Sequence, residues 1–196
     1  MSLRENLESL RLPLVIRQPA PKGCLWLARY DVQKRGLRGF VYRRAKRIMD
    51  LGLVLLAIPI WLPVMGLVAL LAAIESPGQP VMLTELRAGR GGRRFKMYRF
   101  GRKAKNNSLP QLLNVLRGEM SLVGPQATSF QTDGCRLWHT TRLDVPPGLT
   151  GLWRIVGRND IGEDERLRLE IAYIDRRCIR LDIEILLRSI SSYQVR

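Results

Sequence analysis

Arg87, Arg90, Arg93, Arg94, Lys96, Arg99, Arg102, Lys103 and Lys105 fall in a stretch, Leu86 to Gly118, that contains no acidic residue. Unneutralised cations at this density suit anions. An anionic lipid surface rewards them by about 1 kcal/mol per basic side chain, although a solvated charged loop competes with that reading. The whole chain is basic, with 33 Lys and Arg against 17 Asp and Glu and a net charge of +16. Such a balance fits nucleic acid, an anionic leaflet or phosphorylated substrates. No zinc-finger spacing or interleaved basic-aromatic motif supports nucleic acid. His139 is the only histidine, which excludes two-histidine metal sites and leaves a Ser–His–Asp triad a single candidate base. Cys24, Cys135 and Cys178 are isolated and irregularly spaced, which fits a reducing compartment and no metal site.

The element that must position this charge is an uncharged run, Leu51 to Ile74, with basic residues on both sides. As one straight helix it would measure about 36 Å, enough to cross a hydrocarbon core of about 30 Å. Pro59 and Pro63 argue against one straight helix, because each lacks a backbone donor and clashes with the preceding turn. The flanks, Lys34 to Arg47 upstream and Arg87 to Lys105 downstream, give no charge asymmetry to orient a crossing. A re-entrant helix–break–helix satisfies both facts. Its arms would be about 11 to 16 Å long, with freed backbone groups at a Pro59–Pro63 break satisfied by nearby side chains. A kinked spanning helix and a buried helical hairpin are the competing readings.

Around this run, three parts are expected in the 196 residues. Residues 1-42 form a basic, amphipathic extension, in which Leu3, Leu7 and Leu10 make a docking stripe and Phe40 and Tyr42 sit at a membrane interface. Residues 43-74 form the membrane approach and re-entrant helix. Residues 75-196 form a small cytoplasmic domain. In it, PVMLTEL and RFKMYRF read as strands either side of a flexible basic loop, and SLPQLLNVLRGEM as a helix capped by Ser108. SLVGPQA reads as a turn, and VPPGLTGLWRIVGRND as a Pro-Gly turn with a short strand. GEDERLRLEIAYIDRRCIRLDIEILLRSI reads as one long or two short amphipathic helices. The fold class expected is α/β and helix-rich.

Several segments occur in a telling order: KRIMD, the apolar run, ESPGQPVMLTELRAG, FKMYRF, LPQLLNVLRGEMSLVGP, VPPGLTGLWRIVGR and YIDRRCIRLDIEIL. Together they resemble the bacterial sugar transferase family, the monotopic phosphoglycosyl transferases, over roughly Arg43 to Ser191. The resemblance implies a protein of the bacterial inner membrane, its bulk on the cytoplasmic face. It implies transfer of sugar 1-phosphate from a UDP-sugar to a polyprenyl phosphate, usually undecaprenyl phosphate, with Mg2+, in exopolysaccharide or lipid-linked glycan assembly. The family's covalent nucleophile is an aspartate of an Asp-Glu pair in a pattern like S-L-D-E-L-P-Q. A carboxylate beside a metal divides one hard displacement between anions into two easier ones.

This chain departs from the pattern there. It reads Asn106-Asn107-Ser108-Leu109-Pro110-Gln111. Aligned on L-P-Q, Asn107 and Ser108 occupy the carboxylate positions; aligned on S-L and P-Q, three residues including both carboxylates are missing. Either way no acid lies between Glu85 and Glu119. The family's stretch after F-K-x-Y-x-F is almost absent, and Gln126 stands where the arginine of V-G-P-R-P is expected.

Other positions follow the family. Arg87 matches its Q-x-R-x-G arginine, with Glu85 in place of the glutamine, as a phosphate-binding candidate or a solvated loop arginine. Arg142, Gly148, Thr150, Gly151 and Arg158 match R…PG-x-TG…GR. The glycines fit a structural turn, and Arg158 either binds phosphate or pairs with Asp160, Glu163 or Asp164. Glu119 and Asp182 match family acids outside the dyad and are expected to be structural partners of nearby arginines. Two functions remain: an impaired or unusual sugar-phosphate transferase, or a non-catalytic subunit that binds lipid or an active transferase as a homo- or hetero-oligomer.

Overall fold

The computed structural model describes residues 37–75, 78–101, 108–128, 142–155 and 162–193. The chain folds as a helix-rich α/β domain. Helix α1 (Leu37–Leu56) and helix α2 (Ile58–Glu75) meet at a turn at Ala57. Strands β1 (Met82–Ala88) and β2 (Arg94–Phe100) follow, then α3 (Gln111–Arg117) and β3 (Ser121–Val123). After the segment outside the described residues come β4 (Gly148–Thr150), α4 (Leu152–Ile155), α5 (Glu163–Arg176) and α6 (Ile179–Tyr193). β1 and β2 pair antiparallel from Met82↔Phe100 to Ala88↔Arg94, and β3 pairs parallel with β4 through Ser121↔Gly148 and Val123↔Thr150.

The interruption in the apolar run falls at Ala57, ahead of Pro59 rather than between the two prolines. The reason is local. Ala57 O accepts from the amides of Ile60 (3.0 Å) and Trp61 (2.9 Å), which makes it the first acceptor of α2. Pro59 is then the second residue of a new helix, where a missing N–H costs nothing. Pro63 lies inside α2. The buried Trp61 indole donates to Val54 O at 3.1 Å, so a side chain satisfies a carbonyl at the interruption. The second arm is longer than the half-thickness expected: its 18 residues measure about 27 Å. It is apolar and long enough to cross a membrane by length and composition. Ile60, Leu67, Leu70 and Ile74 stand well over half exposed along it.

Val54 and Trp61 join the core formed by Phe95, Met97, Val115, Val123, Leu152, Leu169, Leu181 and Ile185. The start of the apolar run is therefore packed into the domain, while the outer length of α2 is not. On α6, Ile183, Leu187 and Ile190 are also exposed, at helical spacing on one face.

The remaining elements refine the sequence reading. The basic loop is a tight turn at Arg90–Gly92, with Gly91 (φ 67°) and Gly92 (φ 73°) in the left-handed region that closes the hairpin. α3 begins at Gln111 with Pro110 in the capping position and no side-chain cap, so Ser108 is not its cap. SLV forms β3 before the chain turns. The C-terminal amphipathic stretch is two helices, broken at Arg177 and Cys178. The expected Leu3–Leu10 stripe, Asn107, Arg158, His139, Cys24 and Cys135 lie outside the described residues.

Candidate functional site

The KRIMD segment positions its ionisable residues on the inward face of α1. Lys46 Nζ lies 3.0 Å from Asp182 Oδ2 of α6 and 4.0 Å from Asp50 Oδ1 one turn on. Asp182 is fully buried and accepts from the hydroxyls of Tyr42 (2.8 Å) and Tyr173 (2.7 Å). Asp50 accepts from Ser121 Oγ at 2.6 Å. Burial pushes the Asp50 carboxyl up, opposed by Lys46 and Ser121, and burial and the Asp182 charge raise the Tyr173 phenol, which stays a donor. Tyr42 is thus turned toward the domain rather than a membrane interface, whereas Phe40 is exposed. Asp182 has a lysine, not an arginine, as its ion-pair partner. The network joins α1, α5, α6 and β3 at the root of the apolar run.

The LPQLLNVLRGEMSLVGP segment builds a second hub on Asn114, whose role the sequence reading missed. Its fully buried amide donates to Lys96 O (2.7 Å) and Glu119 Oε2 (2.6 Å) and accepts from Tyr98 N (3.1 Å), fixing α3 on β2. A buried, fully bonded amide in a helix leaves no periodic hydrophobic signal, which is why leucine spacing could not find it. Arg47 reaches across from α1 to the last carbonyls of α3, Val115 O (2.5 Å) and Leu116 O (2.7 Å), beside left-handed Gly118. Glu119 is held by Asn114 rather than by an arginine.

Most of the candidate positions meet along residues 123–128. Gly124 packs backbone to backbone against Gly148: a Cβ on Gly148 would lie 2.1 Å from Gly124 N. A Cβ on Gly151 would lie 2.3 Å from Gly124 O, the carbonyl that accepts from the Trp153 indole at 3.3 Å. Close approach of backbone accounts for these glycines. Thr150 Oγ1 is buried with no partner among the described residues. Gln126 N donates to Glu170 Oε1 at 3.1 Å, and Arg142 pairs with Glu170 Oε2 at 2.5 Å. Arg142 therefore meets a buried carboxylate. Arg87 contacts Glu85 (2.6 Å), which also takes Arg99 (2.8 Å), while Ala88 beside it pairs with Thr128. The Arg87 Nε is buried without a hydrogen-bond partner among the described residues.

Burial pushes the Glu170 carboxyl above its ordinary 4.5, with Arg142, the Gln126 amide and Arg166 pulling it down. The folded chain thus binds this proton more tightly than the unfolded one. Stability held by protonated Glu170 is lost as pH rises through the folded value and regained as pH falls toward 4.5. The Tm of the detergent-purified chain is expected to rise from neutral toward mildly acidic pH, with a smaller rise in Glu170→Gln. A Tm that falls steadily over that interval would contradict this assignment.

The resemblance implies Mg2+. Among the described residues no group of three His, Cys, Asp or Glu could hold a metal ion. Glu85 faces two arginines, Glu119 is bound by Asn114, and Asp50 and Asp182 face Lys46.

With this geometry, the motif order has a firm assignment. The bacterial sugar transferase family model matches residues 41–108 and 101–196, and the chain belongs to that family. Galactosyl transferase CpsE of Streptococcus agalactiae serotype III is 31% identical over 205 residues, taking in 81% of this chain and 44% of the relative. The UDP-N-acetylgalactosamine-undecaprenyl-phosphate N-acetylgalactosaminephosphotransferase of Aeromonas hydrophila is 32% identical over 185 residues, or 76% of this chain and 44% of that protein. The UDP-glucose:undecaprenyl-phosphate glucose-1-phosphate transferase of Caulobacter vibrioides is 31% identical over 184 residues, covering 75% and 68%. The chain spans less than half the length of the first two. The CpsE match, at 205 residues, is longer than this 196-residue chain, so that relative carries residues with no counterpart here.

Proposed function

We propose that this chain works at the cytoplasmic face of a bacterial inner membrane in exopolysaccharide or lipid-linked glycan assembly, as a sugar transferase-family protein whose own transfer step is impaired. The observation that carries this reading is the absence of any carboxylate between Glu85 and Glu119. The nearest downstream acid, Glu119, is bound by the buried Asn114 and is not free to replace it. The two matched family segments also meet at residues 101–108, where the pair is missing. A polyprenyl phosphate and a UDP-sugar are the ligands that the named relatives suggest, and an active transferase is the partner such a chain would serve.

Given UDP-sugar, Mg2+ and polyprenyl phosphate, the purified protein is expected to release no UMP above background. Asn107→Asp with Ser108→Glu should restore little, because Gln126 and the short segment after Phe100 also weaken phosphate positioning. Turnover by the unmodified chain that is lost in Arg158→Ala would show a rebuilt active site and sink the proposal.

The membrane part rests on the exposed apolar length of α2 and the exposed stripe of Ile183, Leu187 and Ile190. The turn at Ala57 and the basic segments on both sides favour a re-entrant path over a crossing. Apolar burial is not screened by salt, so the protein should stay in the membrane pellet after a high-salt wash and need detergent for release. Recovery in the salt supernatant would remove the membrane reading.

A further inference from the structure

Beside the Lys46–Asp182 network lies a cavity of about 470 Å³, bordered by α1, the turn after β1 and the α5–α6 junction. Arg43, Arg44, Lys46, Arg47, Arg90 and Arg177 line it, against the acids Asp50 and Asp144. Two of the cations are already occupied: Lys46 faces Asp182, and Arg47 holds the α3 carbonyls. Arg44 stacks over the Phe40 ring at 5.2 Å. Among the described residues Arg43, Arg90 and Arg177 have no carboxylate at ion-pair distance, and Arg177 Nη1 is buried with no hydrogen-bond partner. A buried guanidinium donor without an acceptor is costly, so the cavity suits an anionic acceptor brought to it.

Location narrows what that acceptor is. α1 carries the cavity wall from Phe40 to Asp50 and continues without interruption into the apolar run at Leu51. The cavity therefore sits where the aqueous domain meets the segment read above as membrane-embedded. Its wall also includes Met120, Val145 and Pro146, an apolar side suited to the glycerol and first methylenes of a lipid. It borders Gly118 and Met120, past the C-terminal end of α3, whereas the vacated carboxylate position precedes its N-terminal end. The seven residues of α3 put about 10 Å between the two.

We propose that this cavity seats the phosphate headgroup of an anionic membrane lipid, with Arg177, Arg43 and Arg90 as its donors, at a place separate from the family's reaction centre. The lipid source rests on the membrane reading; the anion site itself does not. The test is equilibrium binding of phosphatidylglycerol to the full chain purified in detergent, with phosphatidylcholine and inorganic phosphate as parallel arms. Phosphatidylglycerol should bind and phosphatidylcholine should not. Arg43→Gln and Arg177→Gln should each weaken binding about fivefold, and Arg93→Gln, exposed on the hairpin turn outside the cavity, should leave it unchanged. Arg43 is exposed, so its variant keeps the test valid if Arg177→Gln fails to fold. Equal binding of both lipids, or equal loss in the Arg93 variant, overturns the site. Inorganic phosphate displacing the lipid at its own binding concentration would make it a site for soluble anions and overturn the lipid assignment. UMP release by the chain would sink the impaired-transfer proposal and leave this one standing.

Discussion

Asp182→Ala is expected to cost about 3–5 kcal/mol of stability, the range for breaking a buried ion pair by removing one partner. The carboxylate is fully buried and satisfies three groups at once: Lys46 Nζ at 3.0 Å and the hydroxyls of Tyr42 and Tyr173 at 2.8 and 2.7 Å. Without it, the ammonium of Lys46 keeps only Asp50, 4.0 Å away, the Tyr42 phenol loses its acceptor and the buried Tyr173 phenol keeps only Val123 O at 3.2 Å. Asp182→Asn should fall between, since an amide oxygen still accepts from a tyrosine but no longer balances the charge. A Lys46→Met and Asp182→Leu pair should recover part of the loss, because no uncompensated charge remains. Denaturant unfolding of the detergent-solubilised chain measures all three variants. An Asp182→Ala variant within about 1 kcal/mol of the parent would show that the network does not hold the fold, as a median surface pair does not.

The position of this network explains why the loss matters beyond stability. Lys46 and Tyr42 stand on the helix that leads into the apolar run, and Asp182 and Tyr173 stand on the two C-terminal helices. The contact fixes α1, which leads into the apolar run, relative to the C-terminal helices. In the sequence, KRIMD and RLDIEIL were legible as motifs and the acid at 182 as structural, but not as partners of one another. They are 136 positions apart, and no local pattern encodes a pairing over that separation. The strands at PVMLTEL and RFKMYRF were legible because alternation and turn residues are local signals, whereas the short strand expected within VPPGLTGLWRIVGRND is confined to GLT and LWRI is helical. β3 was not, since three residues carry no period and the strand exists only through its pairing with β4. The break at Ala57 was legible in kind but not in place. Two prolines announce an interruption, and only the backbone shows that Pro59 opens the second helix while Pro63 is absorbed inside it. Of the candidate site, Arg87 and Arg142 were legible as charged positions, but their carboxylate partners Glu85 and Glu170 appear only in the fold.

Gly148→Ala is the second large effect expected, and it separates packing from ligand binding at the PPGLTG segment. A Cβ there would lie 2.1 Å from Gly124 N, 2.5 Å from Thr150 O and 2.6 Å from Gly124 Cα, all of them backbone atoms. No rotamer change relieves such contacts, so β3 and β4 must part. Parting them puts at risk the backbone bonds Ser121 N–Pro147 O, Gly124 N–Thr150 O and Gly148 N–Pro125 O, each 2.9 Å. Overpacking costs about 1–3 kcal/mol and each lost hydrogen bond about 1 kcal/mol, so a total of about 4–6 kcal/mol is expected if all three bonds go. That approaches the whole stability of an ordinary domain. Gly39→Ala is the matched control: it lies within α1 with nothing within 4 Å of the added methyl. There the same chemical change should stabilise by about 0.5–1 kcal/mol. Opposite signs from one substitution, read by unfolding in the same detergent, would assign Gly148 to backbone packing. If Gly148 instead made room for a phosphate-bearing ligand, Gly148→Ala would unfold like the parent and lose only affinity for a UDP-sugar, and the packing account would fall.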